Sequence, residues 1–177
     1  MWSFRINVVI GALLVAGLMA GCGFRPLHGG SSPGVADGTS QELALIAVAP
    51  IKDRLGQELH NQLLDLLSPR GRPRKPIYTL HVDLSQSIQL LAVRKSEFAT
   101  RANLSAAASF SMTDARGGKT IFEGQSLAVT SFDVLSSEFG TLTAENDAGR
   151  RAVTDLAQDM RNRIAVFFSK VRARGRE

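Results

Sequence analysis

From Pro76 onward the chain alternates. Tyr78, Leu80, Val82, Leu84, Ile88 and Leu90 fall on even positions, and Thr79, His81, Asp83, Ser85, Ser87 and Gln89 on odd ones. A period of two held over this length predicts a strand with one buried and one wet face. Phe98 to Asp114 keeps the habit, with Ala102, Leu104, Ala106, Ala108, Phe110 and Met112 inward. Ala115-Arg116-Gly117-Gly118 offers glycines for a hairpin turn, after which Lys119 to Asp133 returns as a further strand. The apolar phase shifts from Phe122 to Leu127 and Val129, which predicts a bulge at Gly124.

Two other stretches repeat at helical spacing. Leu55, Leu59, Leu63, Leu66 and Leu67 recur every three or four residues, with Gln57, Glu58, Asn61, Gln62 and Asp65 opposite. This is an amphipathic helix ended near Ser68-Pro69. Val153, Leu156, Ala157, Met160, Ile164, Phe167, Phe168 and Val171 form a second, after a loop over Ser136 to Thr143. Leu43 to Ile51 is a short apolar run closed by Pro50 and reads as a first strand. The order strand, helix, three strands, helix predicts an α+β fold. Two helices pack on one face of a mainly antiparallel four-stranded sheet, making a two-layer sandwich over residues 42–174, with 175–177 as the end of a basic tail.

The N-terminus follows other rules. Arg5 precedes Ile6 to Ala20, an apolar run of 15 residues broken only by Asn7. As a helix it would span about 22 Å, short of the roughly 30 Å of bilayer hydrocarbon. A cationic start, a short apolar stretch and small residues after it describe an export signal over residues 1–21, a short membrane anchor being the alternative. Met19-Ala20-Gly21-Cys22 resembles the bacterial lipoprotein signal, with Met19 where that pattern usually has leucine. The resemblance implies cleavage before Cys22, the chain's single cysteine, and its acylation with palmitate-type chains. Two or more chains give stable anchoring where one gives only marginal binding. Gly23, in place of a retaining Asp, points to the outer membrane. Gly29 to Gln41 (GGSSPGVADGTSQ) then reads as tether, making 22–41 the lipidated linker.

Composition and charge narrow the function. The formal net charge of +5 suggests acidic partners. Arg70, Arg72, Arg74 and Lys75 crowd a proline-stiffened loop, Arg94 and Lys95 lie between strands with Arg101 following, and the tail from Lys170 is basic. Guanidinium groups fork onto phosphate oxygens, which makes Arg72, Arg74, Lys75, Arg94 and Lys95 the candidate contacts for an anionic lipid or acidic partner. Nucleic acid is set aside because the chain carries an export signal and no nucleic-acid motif. His28, His60 and His81 form no metal motif, and no serine sits in a nucleophile elbow. His81 and Asp83 share a strand face, which reads as exposed sheet surface. An enzyme, a metal and a cofactor are not expected.

Cys22-Gly23-Phe24-Arg25-Pro26-Leu27-His28-Gly29 resembles the opening of alphaproteobacterial lipopolysaccharide (LPS)-assembly lipoproteins of the LptE family, with His28 where the family carries an aromatic. The likeness continues in outline over Leu43 to Val171. It implies two helices on a four-stranded sheet, anchored in the outer membrane from the periplasmic side. It also implies a non-catalytic subunit of the LPS translocon. Such a subunit plugs and assists assembly of the LptD β-barrel, and helps deliver LPS to the outer leaflet. The alternative is an independent periplasmic lipoprotein that binds envelope polymer or scaffolds another complex.

Overall fold

The three alternating stretches form three strands of equal length. A computed structural model describes residues 38–91 and 101–175. In chain order these are α1 (Gly38–Leu43), β1 (Ile46–Val48), α2 (Asp53–Leu67), β2 (Tyr78–Leu91), β3 (Arg101–Asp114), β4 (Thr120–Asp133) and α3 (Glu138–Arg174). The sheet order is β1-β2-β3-β4. β2/β3 and β3/β4 are antiparallel, whereas β1 runs parallel to β2, so the sheet is mixed. α1 is an addition to the expected pair of helices. It begins at Gly38, inside the segment read as tether.

Cross-strand pairs show which face each residue takes. Leu80↔Met112, Val82↔Phe110 and Leu84↔Ala108 put the even positions of β2 and β3 together, and Phe110↔Gly124, Ala108↔Ser126 and Ala106↔Ala128 extend that face to β4. α3 lies over β3 and β4, while α2 packs on α3 and β1. Between the layers sit Leu59 and Leu63 of α2, Leu80, Leu104 and Met112 of the sheet, and Leu156, Met160 and Ile164 of α3. Ala148, Gly149 and Ala152 are buried along α3, and the small Gly149 lets Leu55 come close.

Gly124 is not a bulge. The register irregularity lies between Met112 and Thr113, where Ile121 is the extra residue, and Gly124 sits in regular register opposite Phe110. The apolar phase therefore changes without a change of face. Leu127 and Val129 project from the outer side of the sheet, 69% and 55% exposed.

The segment 136–143 is not a loop throughout. α3 starts at Glu138 because Ser137 caps it, its hydroxyl accepting from the Gly140 amide at 3.3 Å. Thr141 Oγ1 accepts from the Leu135 amide at 2.9 Å and ties the preceding chain to the first turn. At 37 residues, α3 is about 55 Å long and runs the whole length of the sheet. α2, with 15 residues, covers about 22 Å, half of a 14-residue strand of about 46 Å. Beyond its reach the inward face of β2 is open, leaving Ile88 and Leu90 43% and 62% exposed.

Candidate functional site

Among the described residues the candidate cations lie at one end of the domain, and the hydrogen bonds that gather them there are specific. The Ile77 amide donates to the Leu45 carbonyl at 3.0 Å, and the Ala115 amide to the Ile77 carbonyl at 2.9 Å. Tyr78 pairs with Asp114 at the start of β2. The α1–β1 link, the start of β2 and the β3–β4 turn therefore meet. The C-terminal end of α3 joins them through Arg172, which contacts Glu42 of α1 at 3.1 Å, and through Phe168, whose ring lies 5.2 Å from that of Tyr78. Beneath this end an aromatic chain crosses the sheet: Phe167 lies 5.3 Å from Phe168 and 4.8 Å from Phe122, which lies 5.9 Å from Phe110. Close aromatic pairs give this end a rigid base.

Arg70, Arg72, Arg74 and Lys75 occupy the loop between α2 and β2, on its solvent side. The loop turns at Gly71, whose φ of 105° lies in the region that favours glycine, and the Gly71 amide donates to the Ser68 carbonyl at 2.9 Å. Among the described residues no carboxylate lies within 4.0 Å of any of the four cations. Arg101 is not part of this group. It pairs with Asp133 at 3.4 Å at the opposite end of the sheet. Cys22, Arg94 and Lys95 lie outside the described residues.

The sequence reading missed Arg116 and Lys119, which the β3–β4 turn places at the same end as the cationic loop. The signal was available: an antiparallel hairpin must return its turn to the level where the preceding strand began. Arg172, expected as part of the basic tail, is half-buried and held by Glu42. Glu42 Oε2 is buried with no well-directed hydrogen bond, so the contact is mainly Coulombic.

The outer face of the sheet is the second surface. Its central strand carries Ser105, Ala107, Ser109 and Ser111. A shallow trough of about 430 Å³ runs over Ser109 and Ser111, flanked by His81 and Asp83 from β2 and by Glu123 and Gln125 from β4. Among the described residues no group of three His, Cys, Asp or Glu side chains could hold a metal ion. Farther along this face the short side chains of Ala107 and Ser105 leave Leu127 and Val129 standing proud.

Two titratable groups are tuned. Burial pushes the Asp159 carboxyl up, but hydrogen bonds from Ser126 Oγ at 2.7 Å and Arg163 Nε at 2.6 Å, with the Arg163 charge, outweigh it and hold the group below its ordinary value. Burial, then the carboxylates of Glu42 and Asp114, pushes the Tyr78 phenol up.

Residues 41–164 match the family model of LptE, lipopolysaccharide-assembly. The chain belongs to the LptE family. An uncharacterised protein of Rickettsia prowazekii is 22% identical over 129 residues, covering 73% of this chain and 80% of its own. The fold is shared with a solved protein of Caulobacter crescentus, at a TM-score of 0.61 and 21% identity over 75% of this LptE-family chain and 96% of that one. It is also shared with a minor lipoprotein of Acinetobacter baumannii, at a TM-score of 0.56 and 21% identity over 68% and 90% of the two chains. Among the described residues no helix is long and apolar enough to cross a membrane.

Proposed function

We propose that this chain is an outer-membrane lipoprotein subunit of the LPS translocon, held on the periplasmic side by acyl chains on Cys22. It occupies the lumen of an LptD-like β-barrel, assists assembly of that barrel and helps deliver LPS to the outer leaflet. The observation that carries this reading is the family match over residues 41–164. The surface chemistry fits the role. A barrel lumen is lined by polar side chains, and the outer sheet face offers serines, Gln125 and Asn103 for polar contacts, with Leu127 and Val129 as its two large apolar projections. The role is non-catalytic: confinement to a membrane plane raises the domain's effective concentration near its partner. LPS carries phosphates, and Arg72, Arg74 and Lys75, with Arg94 and Lys95, are the proposed contacts as it passes.

Purification of the acylated protein in mild detergent tests the reading. A β-barrel recovered in stoichiometric amount supports it. A lone monomer under every condition overturns it in favour of an independent envelope-binding lipoprotein.

A further inference from the structure

Most cations of the domain outside one end are neutralised within it. Among the described residues Arg54 pairs with Glu58, Arg101 with Asp133, Arg150 and Arg151 with Asp147, and Arg163 with Asp159; at that one end Arg172 pairs with Glu42. Those with no carboxylate within 4.0 Å among the described residues are not scattered. Only Lys52 and Arg161 lie elsewhere. The others are the four of the α2–β2 loop, Arg116 and Lys119 of the β3–β4 turn, and Lys170 and Arg174 at the end of α3. Of the carboxylates near them, Glu42 is engaged by Arg172 and Asp114 accepts from the backbone amide of Arg116 at 2.8 Å, while Asp65 lies exposed in the last turn of α2.

This cationic pole is also where the chain enters. Gly38 opens α1 beside Arg172. The 16 residues from Cys22 to Asp37 reach at most about 55 Å, enough to let either end of a strand layer about 46 Å long meet the bilayer, so charge must choose between the ends. Gly38 puts the attachment at the end that, among the described residues, holds most of the unneutralised charge.

We propose that, before the domain enters its barrel, this pole is a membrane-docking surface that rests on anionic phospholipid headgroups and stands the domain upright on the bilayer. Its setting rests on the reading of Cys22 as acylated; its chemistry does not. Guanidinium forks and ammonium groups on three separate connections can each meet a lipid phosphate, and the aromatic base beneath holds those connections at one level. LPS passing through the barrel meets the loop arginines only after the domain has left that surface.

The test uses the full acylated chain in vesicles of phosphatidylcholine alone, or of equal parts phosphatidylcholine and phosphatidylglycerol. A fluorescent donor is placed at the pole by Gly117→Cys, or at the far end by Ser136→Cys, and energy transfer to headgroup-labelled lipid is read. The proposal expects strong transfer from position 117 and weak transfer from 136 in anionic vesicles, with the contrast lost in high salt. Each basic residue at such a surface contributes about fivefold to docking. Arg72→Gln, Arg74→Gln and Lys75→Gln together should therefore lower the docked-to-undocked ratio by on the order of a hundredfold. Equal transfer from both positions, or a contrast unchanged in neutral vesicles or by the triple variant, overturns it. So does release of the pole from anionic vesicles by LPS at equal phosphate, which would make the substrate the preferred occupant. Dye incorporation into the parent chain reports a free Cys22 thiol, so failure of the anchor reading is seen separately.

Discussion

Gly124 and Phe110 face each other across β3 and β4 so closely that a Cβ on the glycine would stand 2.6 Å from Cζ of the ring. The ring is buried and tilted against Phe122, so it has little room to withdraw. Gly124→Ala should cost about 1–3 kcal/mol by overpacking. Gly117→Ala, in a turn with nothing within 4 Å, should stay within about 0.5 kcal/mol. Urea unfolding of the two variants checks the pair, and equal stabilities would contradict the contact.

Asp159 makes stability depend on acid. Its carboxyl is held below the ordinary value by Ser126 and Arg163 against the opposing effect of burial. A folded value below the unfolded one gives stability that is full at neutral pH and is lost as pH falls from about 4 through the folded value. Because the pair is partly exposed, Asp159→Asn should cost less than about 1 kcal/mol at neutral pH. It should also flatten the fall in stability below about pH 4. Unfolding midpoints measured across that range read both effects.

Tyr78 is the chain's single tyrosine, so its titration can be followed by tyrosinate absorbance. Burial, Glu42 and Asp114 raise its phenol. A raised folded value means stability is full below the unfolded value of about 10 and is lost as pH climbs through the folded one. Glu42→Gln should bring the titration back toward the ordinary value and reduce the stability lost above about pH 10. An unmoved titration would show that Glu42 does not act on the phenol.

The two halves of β2 differ in what surrounds them. Leu80 is fully buried, with β1 on its open side, whereas Leu90 has neither β1 beside it nor α2 above it. Leu80→Ala should cost about 2–5 kcal/mol, and Leu90→Ala less than about 1 kcal/mol. Hydrogen exchange should follow the same division. Outward amides of β2 beyond Leu80 should exchange faster than those of β3, which is paired on both sides.

Leu127 and Val129 separate stability from assembly. Both are exposed, so Leu127→Glu and Val129→Glu together should change the unfolding midpoint little, within about 1 kcal/mol. If the outer sheet face meets a barrel wall, the double variant should recover less barrel in co-purification. Full recovery would move the contact to another face.

What the sequence disclosed followed the range of the interactions involved. The alternation over β2 and β3 was legible because it records one buried face residue by residue, and the Ala115–Gly118 turn told which strands must be neighbours. β1 has only three residues, too few to carry a period, and its parallel pairing with Tyr78–Leu80 is set by tertiary contact. The start of α3 was hidden because its first turns bury almost nothing and depend on hydrogen bonds from Ser137 and Thr141. Leu127 and Val129 misled the reading because apolar residues on an outer face imitate a bulge. The Arg72, Arg74 and Lys75 loop could be found as a charge run, and hairpin geometry could have brought Arg116 and Lys119 to it, but its union with Arg174 could not, since α3 reaches that end only when it has packed on the sheet.

The contact between Glu42 and Arg172 joins the first helix of the domain to its last turn. In connectivity the domain is therefore nearly a closed ring, with its two ends side by side. A short linker from Gly175 to Gly38, with new termini cut at the exposed Gly117–Gly118 turn, should give a circular permutant that keeps the same sheet. In that molecule the proposed link to the bilayer could be moved from α1 to the β3–β4 turn without turning the domain over.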